Sequence, residues 1–188
     1  AWDPKDLGAD LKAWWDTSDS TTITLNGSTV SALADKSGNG FTLSQGTASA
    51  QPTSGSQTQN SLNVLTFDGG DWLAAATKSD WRLFHQSGAH AVIAAYRVNP
   101  GAQRYHGLMG TNASNQRGFD MLYDNSNKSI RHVSINSDVS QIAANASGAN
   151  AFTADAMHIV SFLADLGNST AANRSVVRVD GGIRMPPK

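Results

Sequence analysis

The sequence predicts an all-β fold, a two-sheet antiparallel sandwich with one or two short surface helices, and three observations carry that prediction. Short apolar or alternating runs recur at near-regular spacing, separated by Gly, Asn, Asp and Ser, as in sandwiches. All 15 acidic residues are Asp, with no Glu and only six Lys, while Ser, Thr, Asn and Gly abound, a balance that favours strands and turns over helices. TITLNGSTV (22–30 with its lead-in) is a hairpin signal, β-branched residues meeting at Asn26-Gly27 and leading out through Thr29 and Val30. The 188 residues fit one domain spanning 1–188.

Taken in order, Asp3-Pro4-Lys5-Asp6 supplies an N-cap, a Pro at N1 and an acid in the first turn, which predicts one helical turn ending near Gly8. LKAWWD (11–16) reads as a strand that sends Trp15 to one face and Trp14 to the other by the two-residue period. Further strands are expected at FTLSQ (41–45), NVLTFDG (63–69), DWLAAA (71–76), HAVIAAYRV (90–98) and HGLMG (106–110). GFDMLYD (118–124), SIRHVSI (129–135), MHIVSFLADL (157–166) and SVVRVDGG (175–182) complete the set. SDWRLFHQSG (79–88) departs from this pattern: a capping Ser79, Trp81 and Phe84 three apart, and Gly88 predict a short surface helix. The polar stretch Gly46–Ser61 reads as a long surface loop.

Composition removes several function classes. A net charge of −1 with no Lys/Arg cluster gives no electrostatic footprint for nucleic acid or an anionic membrane. Without Cys there is no disulfide, thiolate nucleophile or cysteine metal site. The longest apolar run, Ala91–Tyr96, is far short of a bilayer span, and AWDPKDLG has neither the basic nor the apolar region of a signal peptide.

Catalytic patterns are equally sparse. No nucleophile elbow, phosphate loop, dinucleotide fingerprint or HExxH occurs, and the five His residues (85, 90, 106, 132, 158) never fall at a ligand spacing. His90, His132 and His158 read as hydrogen-bonding residues of strands. A glycosidase needs two carboxyl groups facing one bond. Asp120 and Asp124 would lie ~13 Å apart along a strand, and Asp68 and Asp71 straddle a Gly-Gly turn, so both pairs read as turn or surface residues. No enzymatic activity is expected. Exposed aromatics that could stack on sugar rings are the alternative chemistry. Trp72, beside the Gly69-Gly70 turn, admits either a core or an exposed role; Trp81 reads as helix packing. Tyr105 is the preferred glycan contact, with Arg117 and Asp120 as polar partners on the next strand.

DKSGNG (35–40) poses a sharper choice. Asp35, Ser37 and Asn39 alternate with Gly at the sixth place, as at the head of a calcium loop, yet the twelfth position, which should hold a bidentate acid, is Gly46. One carboxylate would have to balance a dication. The reading preferred is a turn in which Asp35 accepts backbone N–H groups and Gly38 and Gly40 take positive φ. A calcium site on Asp35, Ser37 and Asn39, completed by distant oxygens, is the alternative; no other cofactor is expected.

W-D-P-K-D-L-G-A-D-L-K-A-W-W-D (2–16), T-I-T-L-N-G-S-T-V-S-A-L-A-D-K-S-G-N-G (22–40), Pro52-Thr53 and L-N-V-L-T-F-D-G-G-D-W-L (62–73) together resemble the concanavalin A-like lectin/glucanase superfamily. The likeness is to its laminin-G-like form, common in tailed-phage virion proteins and some bacterial surface proteins. The resemblance implies a jelly-roll sandwich. It implies a bacteriophage virion structural protein (a capsid decoration, head fibre or tail fibre) that binds host-surface glycans or reinforces the particle. The alternative is a secreted or surface bacterial carbohydrate-binding module, located extracellularly or on the cell surface. Two departures matter: Leu33 stands where the family usually has an aromatic, and a chain without Glu lacks the Glu-x-Asp-x-x-Glu strand of the glucanases. Family members usually continue past a V-D-G-G hairpin, whereas here IRMPPK follows. The expectation is therefore a C-terminal arm near 184–188 and either a sequence that is a fragment or an edge short of its final strand and covered by a neighbouring subunit, with partners among other virion proteins and copies of the chain itself, as a homo-oligomer such as a trimer.

Overall fold

Gly27, at φ +67°, turns the chain between β1 (Ile23–Asn26) and β2 (Thr29–Leu33), and Asn26 pairs with Thr29 across the turn, so the hairpin forms as its Asn-Gly predicts. The computed structural model describes residues 2–76, 81, 84, 89–99, 101, 105–111, 118–135, 141–146, 150–165, 168–170 and 175–182. They fall into two compact units, Ala1–Lys78 and Ser79–Lys188. Among the described residues the strands number thirteen and all their pairings are antiparallel, so the all-β sandwich class holds.

In the first unit, the predicted N-terminal turn is a 3-10 segment over Pro4–Asp10, capped by Asp3 through a 2.8 Å bond from Lys5 N and closed by a bond from Leu11 N to Gly8 O. The remaining strands are β3 (Leu43–Ser44), β4 (Thr53–Gln59), β5 (Leu62–Thr66) and β6 (Ala74–Ala75). They assemble in the order β5-β4-β2-β3-β6, with β1 on β2.

Two expectations are corrected here. Leu11–Asp16 joins no ladder, because the 35–39 turn takes its backbone groups instead, mostly through side chains. Asp35 Oδ1 accepts Trp14 N, Lys36 N donates to Trp14 O, and Asn39 Nδ2 donates to Leu11 O and Lys12 O. Trp14 and Trp15 are both half-buried rather than split between core and surface; Trp15 Nε1 donates to Phe41 O at 2.7 Å, and the Lys36 ammonium lies 4.5 Å from the Trp14 ring. Nor is Gly46–Ser61 a loop. It contains a 3-10 turn at Ala48–Ala50 and all of β4, which pairs with β5 through a bulge between Ser54 and Gln57. This strand is polar because it is largely solvent-facing, so it carries no apolar alternation to announce it.

In the second unit, β8 (Tyr105–Gly110), β9 (Gly118–Asp124), β10 (Ser129–Ile135) and β11 (Gln141–Ala146) form one sheet in the order β11-β10-β9-β8. β7 (Ala89–Arg97), β12 (Met157–Asp165) and β13 (Ser175–Val179) form the other, ordered β13-β12-β7. Alternation decides the inner face: β12 buries His158, Val160, Phe162 and Ala164. These meet Phe119, Met121 and Tyr123 of β9 and Ile130 of β10 in one core, with the Phe119 and Phe162 rings 5.6 Å apart. Each such aromatic, fully enclosed, is worth ~3–5 kcal/mol against truncation to Ala. The helix expected over 79–88 lies outside the described residues except for Trp81 and Phe84, whose rings stack at 6.0 Å, Phe84 buried on Phe119. The C-terminal arm near 184–188 also lies outside them.

Candidate functional site

The Asp35 turn is built as the sequence predicts. Its Oδ1 accepts Trp14 N and Ser37 N at 2.9 Å each, and its Oδ2 accepts the Ser37 hydroxyl at 2.7 Å and Phe41 N at 3.0 Å. Gly38 and Gly40 have φ of +92° and +80°. Burial alone would raise the Asp35 pKa; the four donors outweigh it and hold the carboxyl below its usual value. A cation here would have to compete with donors that already fill the carboxylate. Among the described residues, no group of three or more His and Asp side chains is placed to hold a metal.

Of the glycan residues expected from sequence, Tyr105 and Asp120 take places at the two ends of one ladder. Tyr105 pairs with Asp124 at one end of the β8/β9 ladder, and Asp120 pairs with Gly110 at the other, four residues or ~13 Å along the strand. Arg117 lies outside the described residues. Asp124 is fully buried and organises the β9–β10 turn, accepting Ser126 N and Oγ on Oδ1 and Asn127 Nδ2 on Oδ2. Asp68 and Asp71 likewise shape a turn: Gly70 N donates to Asp68 Oδ1 and Asp68 N to Asp71 Oδ2, with Gly69 at φ +101°.

The Phe67–Trp72 turn has a surface chemistry of its own. Trp72 is 54% exposed and Phe67 is 50% exposed, so two aromatic side chains flank Asp68-Gly69-Gly70-Asp71 in solvent. The Trp72 backbone is fixed from both sides, its N–H donating to Ala50 O at 3.1 Å and its carbonyl accepting from Gln45 Nε2 at 3.5 Å. Asp68 Oδ2 and Asp71 Oδ1 take no hydrogen bond from the described residues, leaving one acceptor oxygen on each acid beside the aromatics. The exposed role is therefore the one Trp72 takes. The residue was legible in the sequence as a candidate; its exposure was not, because the two-residue alternation does not say which face is covered.

Two strand histidines lie in the interior of the second unit. His158, buried on β12, has Nδ1 2.6 Å from Asp180 Oδ2 and Nε2 within hydrogen-bond distance of the Thr153 backbone, so both ring nitrogens are engaged. His132 is enclosed on β10, and burial, with the nearby His90, pushes its pKa down to about 3. Among the described residues no helix is long and apolar enough to cross a membrane. Comparison of the chain with family models, with curated proteins and with solved structures finds no match.

Proposed function

We propose that this chain is a non-enzymatic structural and attachment protein of a bacteriophage particle, and that it contacts host-surface glycans through the Phe67–Trp72 turn. The observation that carries the glycan contact is the solvent-exposed Trp72 held by a fixed backbone next to an acidic turn. A pyranose presents a C–H face that stacks on indole and hydroxyls that donate to carboxylates, and this turn offers both partners side by side. Its rigidity matters, since a platform that is already ordered loses little entropy on binding. The particle setting is supported by the resemblance of the 2–16, 22–40 and 62–73 blocks to tailed-phage virion domains.

The test is a glycan array probed with the parent chain and with Trp72→Ala. Binding by the parent that falls at least ten-fold in Trp72→Ala, while Tyr105→Ala binds as the parent does, is the expected result. Equal binding by the parent and Trp72→Ala, or none by either, would sink the glycan reading. The particle reading is tested apart from it, by immunolabelling purified phage particles; a glycan-binding chain found free of particles points instead to a bacterial carbohydrate-binding module.

A further inference from the structure

The outward face of the β13-β12-β7 sheet is apolar where a solvated face should be polar. Ile93, Ile159 and Leu163 are 66%, 57% and 38% exposed, and all three point away from the core that Val160 and Phe162 fill. The register places Ile159 beside Ala95, Ser161 beside Ile93, and Leu163 beside Ala91. Large and small side chains therefore alternate across the two strands like a chequerboard. Charge stands only at the margins: Arg97 and Asp165 lie at opposite ends of the β7/β12 ladder, and Arg178 of β13 sits beside Ser161 on the side away from Ile93.

We propose that this face is a homodimer interface, occupied by the same face of a second copy about a two-fold axis running along the strands between β7 and β12. That operation lays β12 of one copy over β7 of the other, ~10 Å apart as in stacked sheets. Ile159 then faces the partner's Ala95, Leu163 faces the partner's Ala91, and Ile93 faces the partner's Ser161. From Ala91 to Ala95 every large side chain meets a small one, the condition for close packing without overlap, while at one end of the ladder Met157 faces the partner's Arg97. A two-fold axis across the strands would instead set Ile93 on Ile93 and Arg178 on Arg178, a steric and electrostatic conflict. The chosen axis carries β13 beyond the seam and leaves its guanidinium in water.

The area argues for the strength. The seam is two strands wide, and nine residues by two strands give a footprint of ~300 Å² per copy, hence roughly 600 Å² in total, well below the ~1,200 Å² of stable specific interfaces. The dimer is therefore weak and reversible, and forms only in concentrated solution. This association does not depend on the glycan reading, since the Phe67–Trp72 turn belongs to the other unit.

Sedimentation velocity of the intact chain from ~1 to ~500 µM tests it. The parent should pass from monomer to dimer across that range. Ser161→Arg, which sets a charge against the partner's Ile93, should remain monomeric throughout, and Ser161→Ala should shift the transition to several-fold lower concentration. Circular dichroism of each variant checks the fold, and Ile93→Lys gives the same reading should Ser161→Arg not fold. A parent that stays monomeric at 500 µM, a trimeric mass, or a dimer unchanged by both charged variants overturns the proposal. The same variants on the glycan array separate the two ideas, because Trp72→Ala should leave the mass unchanged and Ser161→Arg should leave the glycan profile unchanged.

Discussion

Removing the Asp35 carboxylate is the most informative single perturbation of the first unit. Asp35→Ala strips the acceptor from three backbone N–H groups, those of Trp14, Ser37 and Phe41, together with the Ser37 hydroxyl. A hydrogen bond to a charged acceptor is worth ~1.5 kcal/mol or more net, but Asp35 is only half-buried and water replaces part of the loss, so about 2–3 kcal/mol is expected. Asp35→Asn keeps an acceptor for Trp14 and Ser37 and loses the one for Phe41, so it should cost about 1 kcal/mol. Urea unfolding at pH 7, followed by tryptophan fluorescence, reads both, because Trp14 and Trp15 are tied to this turn. The folded carboxyl titrates below its usual value, so its contribution is present above the unfolded pKa of ~3.9 and fades as pH falls through the folded one. Parent and Asp35→Ala should therefore converge at low pH. If Asp35→Ala unfolds within 0.5 kcal/mol of the parent, a margin of ordinary surface substitutions (about ±0.5 kcal/mol), the turn does not organise the Trp14 segment as described. A calcium-dependent rise in melting temperature that Asp35→Ala abolishes would likewise replace the turn with a metal site.

Two further outcomes follow from buried and paired charges. His132, neutral in the fold down to about pH 3, takes up a proton on unfolding below ~6.5, so stability falls as pH drops between those values, by about 2–3 kcal/mol from pH 7 to 4.5. His132→Leu should flatten that slope in urea titrations at the two pH values, whatever it does at neutral pH; an unchanged slope would mean the imidazole is solvated. Asp19 is pushed down to about 2, first by the Lys36 ammonium at 2.7 Å and then by the Thr21 hydroxyl and N–H. Carboxyl NMR titration should find that midpoint, and Lys36→Met should move it towards the ordinary Asp value.

The sequence revealed those elements whose signal is local. The hairpin at Asn26-Gly27, the capped turn at Asp3 and the alternating strands β7, β9, β10 and β12 were each legible because the stabilising pattern lies within the segment itself. Leu11–Asp16 misled because alternation predicts which way side chains point, not what satisfies the backbone, and its partners stand more than twenty residues away in the Asp35 turn. β4 and β11 were missed because strands rich in Ser, Gln, Asn and Ala carry no apolar period. The candidate site shows the same boundary. Sequence named Trp72 among the aromatics worth watching without deciding between a core and an exposed role, because exposure follows from which neighbours pack above a residue and no short window contains them.

One compositional oddity acquires a cause. Asp3, Asp16, Asp19, Asp35, Asp68 and Asp124 each accept the backbone N–H two residues ahead, at 2.7–3.1 Å. That bond needs a carboxylate one carbon from Cβ; one methylene more and the oxygen overshoots its own turn. Six of the 15 acids thus do work that Glu cannot do, in a chain whose helical segments among the described residues are short 3-10 stretches with little use for Glu. The absence of Glu and the density of turns are then one fact: acidic side chains here fold the backbone first. Asp68 and Asp71 do both, since each gives one oxygen to the turn and leaves the other beside Trp72, so the residues that shape the loop also supply the polar half of the surface a sugar would meet.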